Sequence, residues 1–170
     1  MVVDAVPLAE AAVREYLAEW FDHYHLALFR YFVRLLGDEE QAADILQETF
    51  ARTQVALRTQ ALPSYPYAWL CRIGGNLVID MLRRNRRWRW LPFQTSTPSH
   101  DHAVATAQDV RDCLVRINRR EAELLILAHC VGLSPSEIAA ILGENVSTVR
   151  VRLHRARHHF RDQYTKEDGS

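Results

Sequence analysis

At 170 residues, 48% of them apolar, the chain is long enough for one compact domain or two small ones and has enough apolar side chains for a core. Its formal net charge of zero, from 21 basic and 21 acidic side chains, excludes a uniformly cationic nucleic-acid coat, so the placement of charge matters more than its sum. No stretch approaches the roughly 18 uninterrupted apolar residues of a membrane span, so no membrane insertion is expected, and Asp4, Glu10 and Glu15 stand where a secretory signal needs basic and then apolar residues.

In chain order, residues 8–20 read as an amphipathic helix with Leu8, Ala12, Tyr16 and Trp20 on one face. A second helix, 23–36, is rich in Leu and Phe and stops at Gly37. His23 and His25 lie two apart, on different helix faces, and make a poor metal site. Asp38 is an N-cap for a third helix running to about Arg58, with Glu39 and Glu40 complementing its positive end. Its expected buried stripe is Ala42, Ile45, Leu46, Thr49, Phe50 and Val55, and its polar side carries Asp44, Gln47, Glu48 and Arg52. Periodicity alone makes that polar side a solvated surface.

Pro63, Ser64 and Pro66 break the pattern over 59–66. A fourth helix is expected from about Tyr67 to Trp90, with Gly74 and Gly75 adjacent in its interior. Each glycine costs a helix about 1 kcal/mol relative to alanine, which is tolerated where another backbone or a ligand comes close. Asn76 and Asp80 sit one turn apart, followed by the acid-free run Arg83, Arg84, Arg86, Arg87 and Arg89. Residues 91–107 are polar and proline-punctuated, a linker and a natural domain boundary. His100 and His102 lie within it with no cysteine or third histidine beside them, so no metal and no cofactor is expected.

Beyond the linker a helix is expected over Ala107 to Arg116, then one capped by Asn118 with Glu121 and stopped at Gly132. Ser134, Pro135 and Glu137 form a capping box with proline at the first helical position, and Gly143 ends that short helix. A last helix starts near Ser147. Val149, Leu153, Ala156 and Phe160 make its apolar stripe, and Ser147, Val151, His154, Arg155 and His158 face the other way, flanked by Thr148 and Arg150. A helix with a packed back and a front of Arg, His, Ser and Thr suits a DNA major groove. A second acid-free run, Arg150, Arg152, Arg155, Arg157 and Arg161, lies here. Lys166 is the only lysine, so nearly all positive charge is the forked guanidinium suited to phosphates and guanine edges.

The fold class is therefore all-α: two small helical domains, 1–90 and 108–170, joined by the linker 91–107, the second a four-helix helix-turn-helix domain. Cys71, Cys113 and Cys130 are odd in number and widely spaced in apolar helical contexts, which favours reduced core thiols and a cytoplasmic protein.

Over residues 23–162 the order of these features resembles a bacterial extracytoplasmic-function (ECF) sigma factor. The segment Asp44-Ile45-Leu46-Gln47-Glu48-Thr49-Phe50 is similar to the family's grip on the RNA polymerase clamp. The helix from Trp69 through Asn76 to Arg84 is similar to its promoter-melting and −10-reading helix, and 132–157 to its −35-reading module. The chain departs from the family's usual residues at Cys71, Gly74, Gly75, Ile117, Asn118, Ser147 and Val151. The last two lie on the expected DNA face, so no promoter preference is carried over.

The resemblance implies a non-enzymatic specificity subunit. Asp44, Gln47, Glu48 and Phe50 would dock the clamp of the largest polymerase subunit, and the second domain the flap of the second subunit. Asn76 would read a flipped −10 base, with Asp80, Arg83, Arg84, Arg86 and Arg87 beside it and loop 59–66 walling the pocket. Ser147, Thr148, Arg150, Val151, His154 and Arg155 would face the −35 groove, with Arg157 on phosphate. The partners implied are core RNA polymerase, promoter DNA and an anti-sigma factor. Without the resemblance, the residues leave open a stand-alone helix-turn-helix regulator with a dimerising or sensing N-terminal domain. A helical enzyme has no nucleophile–base pair or metal-ligand cluster to support it.

Overall fold

The computed structural model describes the backbone of residues 9–89 and 102–165, with side chains described for 9–85 and 107–165. Most of the expected linker, including His100, falls outside these residues, as do the side chains of Arg86, Arg87 and His102. Every element described is helical: α1 (Glu10–Leu36), α2 (Glu39–Leu57), α3 (Pro66–Arg89), α4 (His102–Arg116), α5 (Arg119–Leu125), a single π turn (Ile126–Cys130), α6 (Pro135–Leu142) and α7 (Val146–Thr165).

The two helices expected over 8–20 and 23–36 are one continuous helix of 27 residues. Residues 21 and 22 are Phe and Asp, neither of which breaks a helix, and the buried stripe runs unbroken through Val13, Trp20, Leu28, Tyr31, Phe32 and Leu35. Gly37, at φ 71°, ends it with its N–H on the Val33 carbonyl. One residue later the Asp38 carboxylate starts α2, accepting 2.9 Å hydrogen bonds from the backbone and side-chain nitrogens of Gln41. The backbone bond, with the side-chain bond behind it, holds the Asp38 carboxyl below its usual pKa.

The buried side of α2 is Ala42, Ile45, Thr49, Thr53 and Leu57. The two buried threonines donate to carbonyls one turn back, Thr49 to Ile45 at 2.6 Å and Thr53 to Thr49 at 2.8 Å, so neither hydroxyl is left unpaired. Val55, expected in this stripe, is 64% exposed, because 55 falls on the same side of the helix as 44, 48 and 51. α3 crosses α1 and α2 at the glycine pair. A Cβ on Gly74 would collide with the Phe32 ring and lie 2.8 Å from Thr49 Oγ1, and one on Gly75 would lie 3.0 Å from Tyr31 Oη. The glycines therefore admit neighbouring helices of the same chain.

The C-terminal helices contribute to two apolar clusters. One is local to the helix-turn-helix: Leu124, Leu127, Ile138, Ala139, Val149 and Leu153. The other is continuous with the core of α1–α3 and takes in Leu114, Ile117, Ala122, Leu125, Ile126 and Ala156. The N- and C-terminal helices thus share one core across a direct seam. Arg111 Nε donates to the Leu35 carbonyl at 2.7 Å, pinning α4 to the C-terminal end of α1. The helix expected to run to Gly132 instead relaxes into the π turn at Ile126, and α4 begins at His102, five residues before the expected start.

Candidate nucleic-acid and protein interfaces

Three exposed faces hold the residues singled out from the sequence. On α2, Asp44, Gln47 and Glu48 are exposed together, and Glu48 accepts a 2.7 Å bond from Arg52 Nε. Val55 extends this face by two turns as an exposed apolar end. Phe50 is half-buried at its edge, in edge contact with Phe21 (centroids 5.2 Å apart), and Phe21 stacks on His25 at 4.7 Å. Phe21 is 45% exposed, so an aromatic shoulder from α1 adjoins the acidic face. Periodicity carries no signal for it, because the expected helices 8–20 and 23–36 leave Phe21 at the break between them.

On α3, Asn76, Asp80 and Arg83 lie along one side and are only partly exposed, with Arg84 fully so. Each of the first three is engaged by the C-terminal helices. Asn76 Nδ2 donates to Glu123 Oε1 at 3.2 Å, Arg119 donates to Asp80 at 3.0 Å, and Arg83 donates to the Ile117 carbonyl at 2.9 Å. Arg72, one turn before Asn76, donates from Nε to the same Glu123 oxygen at 3.0 Å and from Nη1 to the Ile141 carbonyl at 3.2 Å. Burial, with Arg119 nearby, lowers the pKa of Arg83, but a guanidinium stays cationic at any physiological pH. Arg72, Arg119 and Glu123 were not identified from the sequence, since their partners are tens of residues away. In the loop before α3, Leu62 and Tyr65 present exposed apolar surface, 38% and 48%.

On α7, Ser147, Thr148, Arg150, Val151, His154, Arg155 and Arg157 are all exposed, while Val149, Leu153 and Ala156 are buried behind them. The helix is fixed by its neighbour. Ser134 and Glu137 form the expected reciprocal capping box, with bonds of 2.8 and 3.3 Å, which holds the Glu137 carboxyl below its usual pKa. Gly143 turns the chain at φ 65°. Asn145 Oδ1 then accepts from the backbone N–H and the hydroxyl of Ser147, at 3.1 and 3.0 Å, so Asn145 caps α7 and the helix starts one residue earlier than expected. An ion pair between Arg152 and Glu144 ties the flank of α7 to the turn. Arg157 is turned aside, with Nε donating to His129 at 3.3 Å. His154 and His158 meet edge to face at 4.6 Å within the row. What remains outward is a strip of Ser, Thr, Arg, Val and His on a rigid helix-turn-helix.

None of the three cysteines is in a disulfide. Cys71 is buried beside Tyr67, and desolvation pushes both pKa values up to about 12. Its thiol is therefore a protonated packing group rather than a nucleophile. Among the described residues, no three His, Cys, Asp or Glu side chains converge as metal ligands.

Residues 20–88 match the family model for sigma-70 region 2, and 107–160 that for sigma-70 region 4. The chain is 33% identical over 151 residues to the RNA polymerase sigma factor SigV of Bacillus subtilis, covering 86% of this chain and 87% of that protein. It is 32% identical over 165 residues to the ECF RNA polymerase sigma factor SigL of Mycobacterium tuberculosis, covering 91% and 90%. Among solved structures it is similar to CnrH in complex with the cytosolic domain of CnrY, with TM-score 0.56 and 25% identity over 90% of this chain and 92% of that one. The fold is also that of the sigma factor RpoE from Bartonella quintana, solved with the anti-sigma factor NepR: TM-score 0.55 and 23% identity over 89% of this chain and 98% of that one.

Proposed function

The chain belongs to the ECF sigma factors of the sigma-70 family, which bind core RNA polymerase and direct promoter-specific initiation, and from that premise we propose that its three exposed faces divide this work. A sigma factor is a non-enzymatic initiation factor. The bonds of transcription are made by the polymerase, and no side chain of this chain is assigned a catalytic step. The match to region 2 over 20–88 rules against a stand-alone helix-turn-helix regulator, whose N-terminal helices would dimerise or sense a ligand.

In this assignment residues 1–90 form the polymerase-binding and −10-reading domain, 91–107 the linker, and 108–170 the −35-reading domain. Asp44, Gln47 and Glu48 dock the clamp of the largest subunit, with Phe50 and its shoulder Phe21 packing beside them. The second domain sits at the flap of the second subunit. Asn76 captures an unstacked −10 base. Holding that base offsets the few kcal/mol of unstacking, so recognition and strand opening become one event. Arg83, Arg84, Arg86 and Arg87 hold phosphates beside the pocket, Asp80 flanks it, and the loop with Leu62 and Tyr65 walls it.

Ser147, Thr148, Arg150, Val151, His154 and Arg155 face the −35 major groove, with Val151 suited to a thymine methyl. Arg157, which reaches toward His129, lies at the groove's edge, where a phosphate contact is the natural one. An anti-sigma factor, of the kind solved with the Bartonella relative, is proposed as the regulator, and the site of action is the cytoplasm.

The observation that carries the assignment is the α7 strip: reading residues exposed on one side and apolar residues fully buried on the other. In vitro transcription with core polymerase over a pool of random promoters tests it. A recovered bipartite motif supports it, and transcription with no −35 preference would remove α7 from the reading role. For α3, Asn76→Ala is expected to impair promoter opening more than polymerase binding, measured by permanganate reactivity and by holoenzyme assembly. Equal loss of both would count against base capture.

A further inference from the structure

Glu123 is the hub of the seam. One of its carboxylate oxygens accepts from Arg72 Nε at 3.0 Å and from Asn76 Nδ2 at 3.2 Å. Arg72 and Asn76 are four residues apart on α3, so their donors converge on one point beside the helix. That point is held by an anionic oxygen from an element 47 residues further along the chain. The carboxylate is mostly buried, its side chain 15% exposed, while the Arg72 side chain is 35% exposed. The adjoining contacts repeat the theme, with Arg119 on Asp80 and the Ile117 carbonyl on Arg83. Every described polar group of the α3 face except Arg84 is thus matched by a donor or acceptor from α5 or the turn before it.

A guanidinium and a carboxamide on one oxygen are also the donor set that a phosphate or base carbonyl of single-stranded DNA would meet. We propose that Arg72 and Asn76 together form the acceptor-binding site of the promoter-reading helix, and that Glu123 fills it as an internal stand-in for DNA when the two halves of the chain are closed. The proposal rests on the assignment of α3 as the −10-reading helix. It adds a DNA-binding residue, Arg72, and names the side chain that competes for its place. DNA and Glu123 exclude one another at a single atom position, so the seam must part at Glu123 before the strand can be held. Closing the seam is in turn disfavoured once the strand is bound.

The test is fluorescence anisotropy of a fluorescein-labelled, mixed-sequence single-stranded DNA oligonucleotide with the full chain, without polymerase. Amide hydrogen exchange over residues 72–83 and 117–126 is the DNA-independent readout. Glu123→Ala and the more conservative Glu123→Gln are expected to speed exchange across the seam, and Glu123→Ala to tighten DNA binding by about tenfold, within the usual range for coupled sites. Adding Arg72→Ala to Glu123→Ala is expected to keep the fast exchange and abolish the gain in affinity, a separation that a merely structural Arg72 would not produce.

Unchanged exchange and unchanged affinity in both Glu123 variants would overturn the proposal. Faster exchange with no gain in affinity would overturn the stand-in role. A double variant that binds as tightly as Glu123→Ala would remove Arg72 from the site. The parent assignment is judged separately, by promoter opening with Asn76→Ala in the assembled holoenzyme, so its failure is distinguishable from failure of the Glu123 latch.

Discussion

Gly74→Ala is the substitution whose outcome is most tightly set by the geometry. A methyl group at 74 would be driven into the ring of Phe32, which is 0% exposed, and would sit 2.8 Å from Thr49 Oγ1. Phe32 is fully buried where α3 meets α1 and α2, so relief must come from shifting its ring or moving α3 as a body. Overpacking of this kind costs about 1–3 kcal/mol. Against it, alanine is favoured over glycine in a helix interior by about 1 kcal/mol. The balance runs from near zero to a loss of about 2 kcal/mol, which at this chain length lowers Tm by up to roughly 8 °C. Urea denaturation followed by circular dichroism measures it directly.

The same variant decides between the two reasons for a glycine there. If its place serves helix packing, promoter opening per mole of folded holoenzyme is unchanged. A variant that is as stable as the parent chain yet fails to open promoters would refute the packing argument and mean that the space at Gly74 belongs to DNA. Gly75→Ala is the internal control. Its Cβ would lie 3.0 Å from Tyr31 Oη and 3.4 Å from Ile126 Cγ2, contacts that small shifts can absorb, so its stability loss should be the smaller of the two.

Arg155→Ala should weaken −35-dependent promoter binding by about 1–3 kcal/mol if its guanidinium makes a bidentate base contact, while Arg157→Ala should weaken binding evenly across promoter sequences. Competition footprints over the recovered motif and scrambled controls separate the two, and an Arg155→Ala footprint equal to the parent's removes that residue from the reading strip. Cys71 should resist Ellman's reagent in the native chain through pH 9, since burial raises its pKa from 9.0 to about 12. The sign of the linkage follows: the folded state holds the proton that the unfolded chain releases, so this contribution to stability is complete below about pH 9 and is lost as pH rises toward 12. Rapid native labelling of Cys71 would contradict the burial on which that rests.

What the sequence made legible is local chemistry. The caps at Asp38, Asn118 and Ser134 were identifiable because a capping side chain and its target amide lie within three residues of one another. Gly37 and Gly143 were identifiable because only glycine takes a left-handed stop without strain. The α7 strip was identifiable because its apolar period is uninterrupted. α1 was misdivided because the aromatics from Trp20 to Tyr24 crowd several faces of the helix and blur the stripe that runs through them. Val55 was misplaced because an apolar side chain was assigned to the core by its type rather than by its angle around the helix. The π turn at 126–130 has no signature in composition. The contacts of Glu123 with Arg72 and Asn76 span 51 and 47 residues, far outside any helical period, and only the assembled fold brings them together.

The seam's composition indicates what must act on it. The outer ion pair Arg119–Asp80, with side chains 48% and 39% exposed, contributes little in water, and the more buried Arg72–Glu123 pair, 35% and 15% exposed, must first offset its own desolvation. They fix the register in which the halves meet. The closing free energy must come mostly from Leu114, Ile117, Leu125 and Ile126, which join the core of α1–α3. Against it stands the Tyr31 hydroxyl, buried with no hydrogen-bond partner among the described residues and contacted where Gly75 and Ile126 approach. Desolvation raises the Tyr31 pKa well above the usual value, so it stays neutral, but a buried unpaired hydroxyl still costs about 1–3 kcal/mol.

Closure is therefore apolar at heart and discounted by one orphan donor. A ligand shifts such an equilibrium only by its differential affinity for the open form. On the proposed assignment, DNA would supply phosphates and bases for Arg72 and Asn76 but nothing to cover Leu125 and Ile126. A protein partner that separates the halves and clothes that apolar surface would supply what DNA lacks, so on this assignment polymerase binding is expected to precede promoter reading.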